Sequence, residues 1–191
     1  MDQALPGLPP ALPASARPGQ PPSLAASDWA VLIAHVPTRA RYQARVHRRG
    51  DADCWYWLGA ISDTGHGKLR AGSRAAGAAA AGEPPSRVVT SHVLGYRMAF
   101  GEPGTALIAH RCDEASCHNP AHWRPADVAS NTAEYAARRH GGPLVDQRGP
   151  AGRARAIAGA IRAALRDGAS PAVVDMAIAE ASAAGMPLAL F

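Results

Sequence analysis

Cysteine is scarce in this 191-residue chain: Cys54, Cys112 and Cys117 are the only three. Three thiols cannot all pair, so a disulfide framework is excluded and clustering with histidine points to metal. Lysine is scarcer still, with Lys68 alone among 20 basic residues and arginine supplying the rest. Arginine suits bidentate phosphate contact, but a GC-rich genome produces the same bias, and a net charge of +5 does not by itself identify a nucleic-acid binder. Long apolar runs are absent: none approaches the ~20 residues of a spanning helix, which argues against a membrane protein. The opening stretch has Asp2 where a signal peptide wants positive charge, and prolines where it wants an apolar run. A cytoplasmic protein is the expectation.

What is present concentrates between His110 and Asn131. Four residues separate Cys112 from Cys117, and four separate Cys117 from His122. A short tight loop with that spacing can offer two thiolates and an imidazole to one tetrahedral Zn²⁺. A fourth ligand is needed, and the only other cysteine is Cys54. Three alternatives stand beside this reading. Cys54 is otherwise a small buried apolar residue beside the tryptophans. His118 competes with His122, although Asn119-Pro120 would pull its backbone away. His110 could itself ligate the metal two positions before Cys112, at the cost of crowding.

The chain divides into four parts. Residues 1–26, rich in Pro, Ala, Gly and Leu, lack the apolar surface to offset ordering entropy and are expected to be disordered. Residues 27–50 form a basic helical lead-in. Ser27 or Asp28 caps its first helix, Trp29, Leu32, Ile33 and Val36 follow at helical spacing, and Pro37 ends it. Tyr42 and Val46, four apart, suggest a second helix, whose basic residues form either a solvated face or a phosphate-tracking arm.

Residues 51–142 form the core domain. Trp55, Tyr56 and Trp57 read as a strand, Gly65-His66-Gly67 as a hairpin turn, and Lys68, Leu69 and Arg70 as the strand after it. Residues 71–85 read as an Ala/Gly surface loop. Val88 and Val89 lead into a helix through Phe100, closed by Gly101 and Pro103, and Leu107-Ile108-Ala109 forms a strand running into His110. Pro125 marks a helix start, Asp127 is its N-cap, and the helix spans Val128 to Arg139 before Gly141-Gly142-Pro143.

Residues 143–191 form an Ala-rich helical extension. Ile157, Ile161 and Leu165 make one apolar stripe, Val174, Ile178 and Ala181 another, and Ser170-Pro171 a helix start. A helical hairpin packing on the core, or on a second subunit in a homodimer, is one reading. The other is a helix-turn-helix accessory using Arg153, Arg155, Arg162 and Arg166 on DNA.

The series of motifs resembles the HNH branch of the ββα-metal (His-Me finger) nucleases. It is most similar to the zinc-stabilised type found among phage HNH proteins and the His-Cys box homing endonucleases. The resemblance spans about Tyr42 to Arg139. It rests on Cys54-Trp-Tyr-Trp-Leu-Gly59, Gly65-His-Gly67, Ser91-His-Val-Leu-Gly-Tyr96, His110-Arg-Cys112, Cys117-His-Asn-Pro-Ala-His122 and the downstream Asn131.

The resemblance implies an α+β fold with a ββα-metal core knit by a structural zinc on Cys54, Cys112, Cys117 and His122, with flanking helices. It implies that His110 is the general base and Asn131 the protein ligand of a catalytic Mg²⁺, replaceable by Mn²⁺. The implied activity is hydrolysis of double-stranded DNA to 5′-phosphate and 3′-hydroxyl ends. A neutral imidazole near its working pH can take a proton from water, and an amide in the first turn of a helix can hold a divalent ion. From position alone, Asn131 is equally an ordinary helix-surface residue.

Among Lys68, Arg70 and Arg74, which follow the glycine turn, Arg70 is the candidate for a catalytic phosphate contact. Arg138 and Arg139 extend a phosphate track or favour their helix C-terminus. His66 and His92 receive no role, and Trp55, Trp57, Tyr96, Phe100 and Trp123 are read as core aromatics. Three departures stand out: Val93 replaces an arginine common in the related proteins, the Ala/Gly insertion lengthens a hairpin, and no cysteines remain for a second zinc site. A zinc-containing DNA-binding or regulatory protein without turnover is the alternative function.

Overall fold

The protein, described by a computed structural model over residues 24–187 apart from residue 106, is an α+β assembly of six α-helices and three small antiparallel sheets among those residues. The tail expected to be disordered lies, as far as residue 23, outside the described residues. No helix among them is long and apolar enough to cross a membrane.

The first helix, α1 (Ala26–Ala34), buries Trp29 and Leu32. Ser27 and Asp28 lie inside its first turn rather than capping it. The cap position is Ala25, which has no side-chain acceptor, and Asp28 instead complements the helix dipole. Pro37 has a double part, ending α1 and opening α2 (Val36–Gln43), where its missing N–H costs nothing. The expected second helix stops short of Val46, which forms strand β1 (Val46–His47) and pairs with Trp57 of β2 (Tyr56–Trp57). Tyr42 and Val46 still reach the same core, one from a helix and one from a strand.

Strands β3 (Ala60–Ile61), β4 (Gly67–Ala71) and β5 (Arg87–Thr90) form an antiparallel sheet in that order. Gly65 turns the β3–β4 hairpin with φ +82°, a conformation that favours glycine. Gly67 passes so close to Ser91 and the Trp57 ring that a Cβ there would collide with both. The Ala/Gly segment forms the long β4–β5 loop, and its base is fastened where Gly72 N–H donates to Thr38 Oγ1 (2.9 Å) and Arg41 donates to Gly72 O (2.6 Å). Helix α3 (Ser91–Phe100) follows β5 directly and closes at Gly101, φ +81°. One core gathers Trp29, Leu32, Tyr42, Trp57, Leu69 and Leu94 from five of these elements, so the lead-in packs onto the central region.

The third sheet pairs β6 (Leu107–His110) with β7 (Trp123–Ala126) across the cysteine loop, with His110 opposite Trp123. The helix expected from Val128 with Asp127 as its N-cap is present, and Pro125 lies in strand β7 just before it. Proline fits there because a two-stranded sheet has only edges, where its missing N–H need break no ladder bond. Helix α4 (Val128–Arg138) then begins at Asp127, whose carboxylate accepts from Ser130 N–H at 2.8 Å.

Helices α5 (Gly149–Arg166) and α6 (Pro171–Ala183) form a hairpin on the central region. Ile157, Ile161, Val174 and Ile178 pack around Tyr56, with Cys54 and Leu58 at the margin. Leu165, expected in this stripe, is exposed. Arg153 is buried: it donates to Glu114 Oε2 at 2.8 Å and to Asp146 Oδ2 at 3.3 Å, so it clamps the hairpin to the cysteine loop and is not available to DNA. Arg162 donates to Leu58 O at 3.0 Å and holds the opposite end of α5 against the core.

The Arg148 guanidinium, helped by Arg153, holds the Asp146 carboxyl down to about 2 from its ordinary 3.8. A depressed carboxyl lends stability that is present above its unfolded value and is lost as the pH falls through about 2. Asp146→Ala leaves Arg153 short of one buried partner and is expected to cost about 3 kcal/mol. Urea unfolding at pH 7 and at pH 3 measures both effects: the wild type should lose stability between these two, and the variant should lose less.

Candidate metal centre and adjoining cavity

Cys54 reaches the other three sulfur and nitrogen donors because the chain before and after it is stitched to the cysteine loop. The Asn119 carboxamide donates to Asp51 O and Asp53 O, both at 2.7 Å, and accepts from Ala121 N–H at 3.0 Å. His118 N–H donates to Trp55 O (2.6 Å), and Trp57 N–H donates to Ser116 O (3.1 Å), so residues 55–57 run as a short ladder beside residues 116–118. Asp113, the sole non-glycine with positive φ among the described residues (56°), turns the loop just after Cys112. These constraints place one donor atom from each of Cys54, Cys112, Cys117 and His122 within 4.8 Å of all the others.

That cluster could hold a metal ion such as zinc. Zn–S bonds of about 2.3 Å and Zn–N bonds of about 2.05 Å give a tetrahedral S···N edge of about 3.6 Å. His122 Nδ1 lies 3.4 Å from Cys117 Sγ and 3.7 Å from Cys54 Sγ. Contacts from Cys117 and then Cys54 hold the Cys112 thiol well below the usual thiol range. Contacts with Cys112 push Cys54 far up and Cys117 up to about 12. Three sulfurs this close disfavour one another's thiolate forms, and a dication would relieve that by taking all three as thiolates. Asn119 N–H points at Cys117 Sγ (3.5 Å), a donor suited to a thiolate.

The alternative ligands are accounted for by their surroundings. His118 is buried, stacks on Trp57 with ring centroids 4.7 Å apart, and has both nitrogens engaged. Its Nδ1 lies 2.9 Å from Ser116 O and its Nε2 2.7 Å from Ser91 Oγ. Burial lowers its pKa to about 3, so it is a neutral core histidine. His110 is not among the four clustered donors, although its imidazole lies beside the Cys112 thiol. Cys54 is half-buried at the edge of an apolar group and also within it as a donor.

His110 instead belongs to a second constellation. Ring nitrogens of His66, His92 and His110 lie within 4.8 Å of one another, contributed by the β3–β4 turn, the start of α3 and the end of β6. The ring centroids of His92 and His110 are 4.6 Å apart. Burial, then the neighbouring His110, lowers His66 to about 4 and moves His92 down as well, so both stay neutral at physiological pH. Both nitrogens of His110 and Nδ1 of His92 are buried without a hydrogen-bond partner among the described residues.

The three histidines line a cavity of about 480 Å³ together with Lys68, Asn131 and Arg138. Asn131 is half-buried in the first turn of α4. That helix buries none of its residues and is held mainly by charge: Arg124 pairs with Glu134, and Arg138 pairs with Asp113 at 3.1 Å and Glu134 at 3.2 Å. Arg70 is not on this wall. It lines a neighbouring groove of about 470 Å³ with Arg41, Arg45 and Arg74, and Lys68 stands where groove and cavity meet.

The structure therefore brings together His110 and Asn131, and separately the four cysteine-cluster residues. His66 and His92 were missed by sequence reasoning, because the contact that gives them meaning joins three segments far apart in the chain. Compared with protein-family models, with curated proteins and with solved structures, the chain matches none.

If the cluster binds structural zinc, Cys54→Ser and Cys112→Ser should each lose zinc and thermal stability together. Chelation should unfold the wild type, since structural zinc sites contribute on the order of 10 kcal/mol. Elemental analysis beside thermal melts followed by circular dichroism reads both. A Cys54→Ser protein that keeps one zinc per chain and melts as wild type would remove Cys54 from the ligand set.

Proposed function

We propose that the protein is an HNH-type, metal-dependent endonuclease that hydrolyses double-stranded DNA to 5′-phosphate and 3′-hydroxyl ends. In this reading β6, β7 and α4 are the two strands and helix of a ββα-metal unit, and the cysteine cluster holds a structural zinc. The observation that carries the proposal is the convergence of His110 and Asn131, from a strand end and a helix start, on one cavity beside a basic groove.

His110 is suited to act as the base. It is almost fully enclosed, and neither ring nitrogen is committed to another protein group among the described residues, so a lone pair is free to take a proton from water. The resulting hydroxide adds to phosphorus as the 3′ oxygen departs and is protonated from solvent. Asn131 and Asp113 offer oxygen donors on the cavity wall, the kind a hard cation takes, so these residues fit Mg²⁺ or Mn²⁺. The bound ion supplies neutralisation of charge on the scissile phosphate and on the leaving oxygen.

Lys68 stands on the cavity wall, its ammonium donating to Thr90 Oγ1 at 2.9 Å, and is placed to meet a phosphate at the reacting end. Arg70, Arg74, Arg41 and Arg45 line the continuation of that path and suit backbone phosphates on either side of the cut. Helix α4 buries none of its residues and brings the positive end of its dipole to Asn131 on the cavity wall.

Supercoiled plasmid with Mg²⁺ tests the proposal. His110→Ala should lose about 10²- to 10⁴-fold in cutting while still retarding DNA in a gel. Lys68→Ala should lower cutting more than binding, and Arg70→Ala should do the reverse. If wild-type protein retards the plasmid but leaves it uncut across Mg²⁺, Mn²⁺ and neutral to alkaline pH, it binds DNA without hydrolysing it.

A further inference from the structure

We propose that His66, His92 and His110 form a second metal site, separate from the cysteine cluster, that takes a borderline transition-metal dication such as Zn²⁺ or Co²⁺ and in doing so withdraws His110 from proton transfer. The site itself stands on geometry alone. Its effect on cutting rests on the nuclease reading above.

Three features support the site. The three donor nitrogens lie within 4.8 Å of one another, against an edge of about 3.3 Å for a tetrahedron with Zn–N bonds near 2.0 Å. Secondly, three of the four buried histidine nitrogens without partners among the described residues, His92 Nδ1 and both of His110, belong to this cluster, the fourth being His35 Nε2. Burying a polar atom unpaired costs about 1–3 kcal/mol, and a shared cation satisfies three rings at once.

The third feature is the outer shell. His92 Nε2 lies 3.2 Å from Ile108 O, a pure acceptor, so Nε2 carries the proton and Nδ1 presents its lone pair to the cluster. His66 Nδ1 lies 2.9 Å from Thr64 Oγ1, which leaves Nε2 for the same space. Ligating histidines are commonly fixed in this way, with the second nitrogen held by a carbonyl or another oxygen.

The donor set also states which ions it prefers. Three neutral imidazoles suit Zn²⁺, Co²⁺, Ni²⁺ and Cu²⁺, whereas Mg²⁺ seeks oxygen and is left to the Asn131 side of the cavity. Three protein ligands leave a fourth position for water or an anion. Since the third imidazole is the proposed base, its lone pair can bind the ion or accept a proton from water, but not both.

Co²⁺ titration of the zinc-containing protein is the test. One further Co²⁺ per chain should bind, with visible ligand-field bands but without the sulfur-to-metal charge-transfer absorption that cobalt in the cysteine cluster would give. Thr64→Val should weaken that binding about 10-fold, and His66→Ala, which removes a ligand near the rim, should weaken it more than about 100-fold. Asn131→Ala should leave it unchanged. Zinc content and melting temperature confirm that each variant is folded. The site is overturned if wild type takes up no second ion, if His66→Ala binds it as tightly, or if sulfur bands grow with it. In parallel, Mg²⁺-driven plasmid cutting should fall in proportion to the sites filled, and undiminished cutting with the site full overturns the withdrawal of His110. A plasmid left intact before any Co²⁺ is added overturns the nuclease reading, while the metal count still decides the site.

Discussion

The Asn119 carboxamide is the contact on which the functional region depends. Its two donor hydrogens reach the carbonyls of Asp51 and Asp53, and its oxygen caps the short turn that carries His122. One side chain thereby fixes the only cysteine remote in sequence beside the three candidate donors of the loop. Hydrogen bonds of this kind are worth about 1 kcal/mol each, so they position the donors without supplying much stability. A bound metal would supply on the order of ten times that. His110 lies two residues before Cys112, and Asn131 follows His122 by a strand and one helical turn, so the cavity inherits its shape from the cluster.

How much of this was legible in the sequence varies with how local each signal is. The candidate ligands Cys112, Cys117 and His122 can be read because four-residue gaps within one loop are a short-range pattern, and Asp127 because capping depends on the next three residues. Cys54 was reached by elimination rather than by pattern, since no periodicity links it to the loop. Strand β7 was hidden by Pro125, which signals a break in most contexts and is tolerated here only because its strand is an edge. Val46 stands at a helical spacing of four from Tyr42, but it faces Trp57 across a ladder and packs, partly buried, against the same core. His66 and His92 carried no readable signal, because a glycine turn, a helix start and a strand end have to meet before the trio exists.

Arginine was the hardest residue to interpret from composition, and the structure divides it into two populations. Arg153 and Arg148 satisfy Asp146, and Arg153 also satisfies Glu114, beneath the C-terminal hairpin. Arg124 and Arg138 hold α4, and Arg97 lies over the Trp29 ring while pairing with Glu102. These side chains are used inside the molecule, where a planar fork meets carboxylates and carbonyls in fixed directions. A second group, Arg70 and Arg74 with Arg41 and Arg45, gathers around one groove, Arg41 while also donating to Gly72 O. A high arginine content therefore says little about DNA, whereas its location along a path ending at Lys68 says more.

The two histidine populations differ in the same physical terms. His118 is buried with both nitrogens satisfied, so its desolvation is offset and its function ends with packing. His92 and His110 are buried with nitrogens left over, an arrangement a fold sustains at a cost of about 1–3 kcal/mol per unpaired group. Relaxation of side chains would remove that cost if nothing opposed it. Here Gly67, pressed against Ser91 and Trp57, fixes the turn that bears His66, and the β6–β7 ladder fixes His110 opposite Trp123. The trio is held together by elements whose own packing is satisfied, so its unspent lone pairs are a property of the architecture and mark the place where a proton or a metal ion can be taken up.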